Sequence, residues 1–182
     1  EYQKNYSNRY KDTNFQLYRK YTYEEVCLLL NWDKNMNAQN LGGYFYDART
    51  KTLPVFINYD KTDDAIAYED RFLAADRLIA LSKHPRKITS SDADHFYKRT
   101  EADRENRIFL FLRKNKDDRE AKEFYFLGEM QAQGDPKPIR MKFDKVDETG
   151  AVIGTRIDDA FEVDYQLEVP VRQDLYNYIV KE

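Results

Sequence analysis

The sequence predicts an α+β domain: a strongly curved, mostly antiparallel sheet or barrel of six or seven strands, with helices at the ends and one in the middle. Three observations predict it. Leu53, Val55, Ile57 and Tyr59 share one face of an extended run that follows a polar turn at 47–51, the alternation of a half-buried strand. In the last hairpin, Ile139, Met141 and Phe143 alternate with Arg140, Lys142 and Asp144, and Phe161, Val163, Tyr165, Leu167 and Val169 alternate with Glu162, Asp164, Gln166 and Glu168. Helical signatures stand near both ends, at 22–30 and after Pro170.

Taken in order, residues 1–16 read as a polar, tyrosine-rich lead-in or linker end, and 17–182 as a single domain. Thr22 and Glu25 have the spacing of a capping box, which starts a helix with Tyr23, Val26, Leu29 and Leu30 on one stripe. Gly42 and Gly43 open an extended stretch over 44–47, which pairs as a hairpin with 53–59. A third extended segment falls at 67–72, and residues 74–82 suit helix or strand equally. Thr89-Ser90-Ser91-Asp92 is a cap-like cluster before a helix at 92–99. Ile108–Leu112 is apolar on both faces, as a central strand must be. Phe124–Leu127 reads as a second such strand, ending at Gly128. Leu175, Tyr178, Ile179 and Val180 mark a closing helix.

Composition narrows the function. The 182 residues suit one domain, and 41% hydrophobic with 15% aromatic residues suffice for a core. No apolar run reaches the ~18 residues of a membrane span, and no charged-then-apolar leader is present; no membrane partner is expected. A single cysteine, Cys27, and two histidines exclude a disulfide framework and a zinc finger. The expected compartment is a reducing cytoplasm. Glu1 in place of Met suggests a piece of a longer protein. Thirty Lys and Arg against 33 Asp and Glu give a net charge of −3, which is not the basic signature of a non-specific nucleic-acid binder. The stretch holding Lys83, Arg86, Lys87, Lys98, Arg99, Arg104 and Arg107 is interspersed with acids, so its plain reading is a solvated, mixed-charge surface.

No catalytic set stands out. His84 and His95 have no cysteine partner, and Cys27 sits between Val26 and Leu28 as a core thiol. Gly42-Gly43 precedes a strand, whereas anion binding needs a helix. Glu120-Ala121-Lys122 matches a fragment of a nuclease motif, but in a turn. No metal, cofactor or catalytic residue is therefore expected. What remains is an excess of tyrosine, 15 in all. Tyr44, Tyr46, Tyr59, Tyr68 and Trp32 lie near glycines, turns or a helix end, and Tyr68-Glu69-Asp70 joins an aromatic plane to carboxylates. An unstacked base is read by aromatic planes and a hydrogen-bonding edge. The competing reading makes these tyrosines ordinary walls of the sheet.

The series LYRKYTYEEVCLLLNW, NLGGYFYDARTKTLPVFINYDK, AYEDRFL, IFLFLRKN, EFYFLGEM and VPVRQDLYNYI, spanning roughly 17–180, resembles one family. It is similar to the C-terminal target-recognition domain of SauUSI-type (type IV, modified-cytosine-dependent) restriction enzymes, which is appended to phospholipase D-type nuclease and superfamily II helicase domains. The resemblance implies an SRA/PUA-like fold and a module that recognises 5-methylcytosine or 5-hydroxymethylcytosine in duplex DNA by flipping the base. It also implies nuclease and helicase domains upstream in the same chain. On this reading Tyr44, Tyr46, Tyr59, Tyr68 and Trp32 wall the pocket, and Glu69 or Asp70 accepts from the exocyclic amine of cytosine. Arg49, Lys51, Arg71, Lys83, Arg86 and Lys87 hold phosphates. Two other readings stand beside it: a protein–protein module docking nuclease against helicase through the acidic final hairpin, and a nuclease using the carboxylates at 117–123.

Overall fold

The computed structural model describes residues 9–33, 43–59, 70–82, 86–114 and 122–181, the Tyr44 side chain excepted. Their elements are β1 (Lys20–Tyr21), α1 (Tyr23–Leu29), β2 (Gly43–Tyr44), β3 (Thr52–Asn58), β4 (Arg71–Ala74), β5 (Arg77–Leu81), α2 (Ser91–Tyr97), a 3-10 turn (Glu101–Asp103), β6 (Arg107–Arg113), β7 (Phe124–Val146), β8 (Val152–Leu167) and α3 (Gln173–Val180). One eight-stranded sheet runs β2-β3-β6-β7-β8-β5-β4, with β1 also paired to β7. It curls strongly into a half-barrel flanked by three helices, as the sequence predicts. β3 and β6 are parallel, from Thr52↔Arg107 to Asn58↔Arg113, and the other pairs are antiparallel.

Each face of the sheet carries its own core. On one, Leu53, Val55 and Ile57 of β3 meet Ile108, Leu110 and Leu112 of β6 and Phe161, Val163 and Tyr165 of β8. Ala93 and Phe96 of α2 and Leu175 and Ile179 of α3 close over them. On the other, Phe56, Phe109, Phe111, Phe124 and Phe126 pack with Tyr10, Phe15, Tyr21 and Tyr23. The alternation read in β3 is therefore an alternation between two cores, because both of its faces are covered. The capping box of α1 is present: the Thr22 hydroxyl accepts from Glu25 N at 3.2 Å, and the Glu25 carboxylate accepts from Thr22 N at 3.0 Å.

Three expectations need correction, and one segment left open is settled. Residues 10–15 belong to the fold rather than to a lead-in. Phe15 is fully buried, stacked on Phe126 at 5.0 Å between ring centroids, and the Tyr10 hydroxyl donates to Glu168 at 2.8 Å. Arg107 fastens the same segment by reaching both Asp12 (2.8 Å) and Glu129 (2.9 Å). The strand expected to end at Gly128 runs on to Val146. Gly128 has φ of +97° and sits where the β6–β7 register shifts, so this glycine is a bulge inside a strand and not its end. The segment left open at 74–82 is β5, hydrogen-bonded to β4 and β8 at once. The helix expected over 92–99 ends at Tyr97, where Lys98 turns left-handed (φ 53°).

The feature that positions a site is the length of β7 and β8. β6 last pairs with β7 at Met130, and β5 last pairs with β8 at Glu162. Beyond them, after a register shift between Gln133 and Lys137, β7 and β8 continue together from Lys137↔Glu162 to Val146↔Val152 as a two-stranded arm. No helix among the described residues is long and apolar enough to cross a membrane.

Candidate functional site

Ser82 and Arg86 both stand against the root of the arm. Ser82 N donates to Phe161 O at 2.8 Å, and Arg86 N donates to Asp159 O at 2.7 Å. The chain then turns through 87–90 into α2, whose Phe96 meets Phe161 edge-on at 6.4 Å. Because the turn is held by backbone bonds to β8 on one side and by α2 on the other, it cannot collapse onto the arm. A cavity of about 390 Å³ remains between them, lined by Arg86, Lys87, Ile88, Thr89, Pro138, Ile139, Arg140, Asp159 and Ala160. An adjoining lobe of about 330 Å³ shares Arg86, Lys87, Thr89 and Asp159 and adds Ser90.

The lining has two characters. Ile88, Pro138, Ile139 and Ala160 give apolar walls, while three cations and one carboxylate stand among them. This volume and mixture suit a small planar ligand held by a few polar groups. Arg86 is tied down, its Nε donating to Asp92 at 2.5 Å. Arg140 is 80% exposed and 3.6 Å from Asp159, an exposed pair worth at most about 1 kcal/mol. Lys87 is exposed and has no ion pair among the described residues, and the same holds for Lys142 further along the arm. Arg140 and Lys142 lie two residues apart on one strand, so both side chains project from one face.

Of the residues expected to form a site, Arg86 and Lys87 reach this cavity together. Among the described residues, those expected to wall an aromatic pocket are each engaged within the fold. Tyr59 is 2% exposed, packed on Phe72 at 5.5 Å, and its hydroxyl accepts from Phe72 N at 3.1 Å; it is a core residue. Asp70 accepts from Leu81 N at 2.8 Å, a bond that ties the approach to β4 onto β5. Trp32 donates from Nε1 to Thr52 Oγ1 at 2.8 Å, on β3, which β6 separates from β7 in the sheet order. Arg49 is held by Asp33 (3.0 Å) and the Asn31 carbonyl, Lys51 donates to Ala102 O at 2.6 Å, and Arg71 pairs with Glu162 at 3.1 Å. Each is engaged in holding the fold. Tyr44 lies on β2 opposite Val55; its side chain, with Tyr68, Glu69, Lys83, His84 and the carboxylates at 117–120, falls outside the described residues.

Tyr46 has a different role. Its ring stacks on His95 at 3.9 Å and 19°, and its hydroxyl donates to Asn106 Oδ1 at 3.1 Å. His95 Nδ1 lies 2.7 Å from Asp103, whose carboxylate also accepts from Thr100 Oγ1 (2.6 Å) and Asn106 Nδ2 (3.0 Å). Burial works to raise Asp103, but the hydrogen bonds from Thr100, His95 and Asn106 outweigh it and hold the carboxyl below its ordinary range. The cluster locks α2, the 3-10 turn and the approach to β3 together. Burial raises the Tyr46 hydroxyl too, helped by the Asp103 charge.

Sequence reasoning missed Arg140 and Asp159 as site residues. Their strand register, Arg140↔Asp159, falls outside the 161–169 run that the sequence marks as the second strand of that hairpin. What makes them a site is the 86–90 turn laid beside them, a contact between distant segments.

Residues 15–179 match the family described as a domain of unknown function (DUF3427), so the chain belongs to that family. No curated protein matches it.

Proposed function

We propose that this member of the DUF3427 family is a DNA-reading module that recognises modified cytosine in duplex DNA, with the cavity at the root of the β7–β8 arm taking the base. The observation that carries this reading is the cavity itself: an apolar-walled space of about 390 Å³ with Arg86, Lys87 and Arg140 around it. The resemblance to SauUSI-type target-recognition domains supplies the ligand class. Ile88, Pro138 and Ile139 take the part of the planes that enclose an extruded base. Asp159 is the acceptor for the exocyclic amine of cytosine. Lys87, Arg140 and Lys142 neutralise phosphates on either side, which gives affinity and register but no sequence information. The catalytic steps of a restriction enzyme would then fall to nuclease and helicase domains outside this sequence.

The test is a titration of the chain against one short duplex in unmodified, 5-methylcytosine and 5-hydroxymethylcytosine form at two salt concentrations. Tighter binding to a modified duplex that persists at the higher salt supports the reading. Equal binding that collapses with salt would leave only phosphate contacts.

One observation favours a second reading. Val146, Val152, Ile153 and Ile157 on the arm are each more than half exposed, and exposed apolar side chains gathered on one projection suit a protein–protein docking element. That reading requires no DNA binding at any salt.

A further inference from the structure

Ser90 sits at the N-cap of α2, a position where a serine hydroxyl normally accepts a backbone N–H of the first turn. Here it makes no such bond. Its Oγ is buried and has no hydrogen-bond partner among the described residues, although the residue lines the lobe of the cavity that it shares with Arg86, Lys87, Thr89 and Asp159. Buried hydroxyls are almost always satisfied, so an orphan of this kind points to a missing partner. Rotation about χ1 towards the lobe breaks no hydrogen bond, because none is made where the hydroxyl now lies. A serine hydroxyl both donates and accepts. It therefore suits a ligand hydroxyl, which does the same, and gains nothing from a methyl group.

We propose that Ser90 is a specificity-determining residue of the cavity, and that it makes 5-hydroxymethylcytosine the preferred base over 5-methylcytosine. This rests on the base-reading role proposed above. With a hydroxymethyl group in the lobe, the Ser90 hydroxyl acquires its partner. With a methyl group it stays unpaired, and sites built to bond a hydroxyl discriminate against ligands that lack it.

The experiment compares affinities of the 182-residue chain, and of its Ser90→Ala and Ser90→Thr variants, for the same duplex in unmodified, methylated and hydroxymethylated form. The expected result is that the unaltered chain binds the hydroxymethylated duplex about three- to tenfold more tightly than the methylated one, the worth of one hydrogen bond. Ser90→Ala should bring the two to the same level, and Ser90→Thr, which keeps the hydroxyl, should retain the preference. Since Ser90 makes no capping bond, neither variant loses one. Equal affinity for the two modified duplexes, or a preference that survives Ser90→Ala, overturns the role of Ser90 and leaves base reading standing. If neither modified duplex binds more tightly than the unmodified one, base reading fails and this inference with it.

Discussion

Arg140 and Asp159 stand directly opposite each other across β7 and β8, with Arg140 Nε 3.6 Å from the Asp159 carboxylate and 80% of the arginine side chain exposed. So long and exposed a pair holds Arg140 weakly, and a phosphate oxygen offering a short, charge-assisted bond competes well for it. Asp159 is fixed from the other side, since its backbone carbonyl accepts from Arg86 N. The cavity thus joins a cation that is easily won by a ligand to a carboxylate on a backbone tied in place.

Replacing Arg140 or Lys87 by Ala should weaken binding to all duplexes about equally, because phosphates carry no base identity. Each replacement should lower the slope of log affinity against log salt by about 1. Titrations at three or more salt concentrations check this.

Tyr46→Ala should cost stability rather than recognition. The substitution removes the stack on His95 and the bond to Asn106, together worth about 1–3 kcal/mol. Urea denaturation should report that loss, while the ratio of affinities for modified and unmodified DNA stays as it was.

Gly128→Ala should destabilise the chain by about 1–3 kcal/mol, the cost of holding an L residue in a sparsely allowed conformation. The backbone there has φ of +97°, and an added Cβ would stand 3.3 Å from Leu17 Cδ2 and 3.5 Å from the Tyr10 ring. Thermal unfolding of the variant measures it.

The chain should lose stability in acid more steeply than ordinary carboxylates would make it. Asp103 is held below its usual 3.8 by hydrogen bonds from Thr100, His95 and Asn106 that outweigh burial, and Glu168 below its usual 4.5, again against burial, by Lys11 and Tyr10. For a carboxyl whose folded pKa is depressed, the contribution is complete above the unfolded value and disappears as pH falls through the folded one. The loss therefore sets in below about pH 4.5 and deepens downwards. Asp103→Asn should flatten it in denaturation curves followed from pH 6 to pH 3.

The sequence carried the parts of this fold that local chemistry writes. The capping box at Thr22 and Glu25, the buried run of β6 and the closing helix α3 each depend on residues close in the chain. Gly128 was misread because a glycine ending a strand and a glycine bulging within one leave the same mark; only the neighbouring β6 register separates them. Tyr59 and Tyr46 were misread for a related reason. A tyrosine beside a turn has the same sequence whether its ring faces solvent, the core or a histidine some fifty residues away. Charge alone singles out Arg86 and Lys87 in the sequence, but only the packing of the 86–90 turn on the arm brings them to one cavity with Arg140, Asp159 and Ser90.

The central claim, that the base enters the cavity at the root of the arm, is tested most directly by filling it. Thr89 is exposed and lines the cavity, so Thr89→Trp would occupy the space without disturbing either core. The measurement is the ratio of affinities for a hydroxymethylated and an unmodified duplex, for the unaltered chain and for Thr89→Trp at one salt concentration. The account predicts a ratio well above one that falls to about one in the variant, with salt-dependent binding to the unmodified duplex retained. A ratio that survives the filled cavity would place base recognition elsewhere on the molecule.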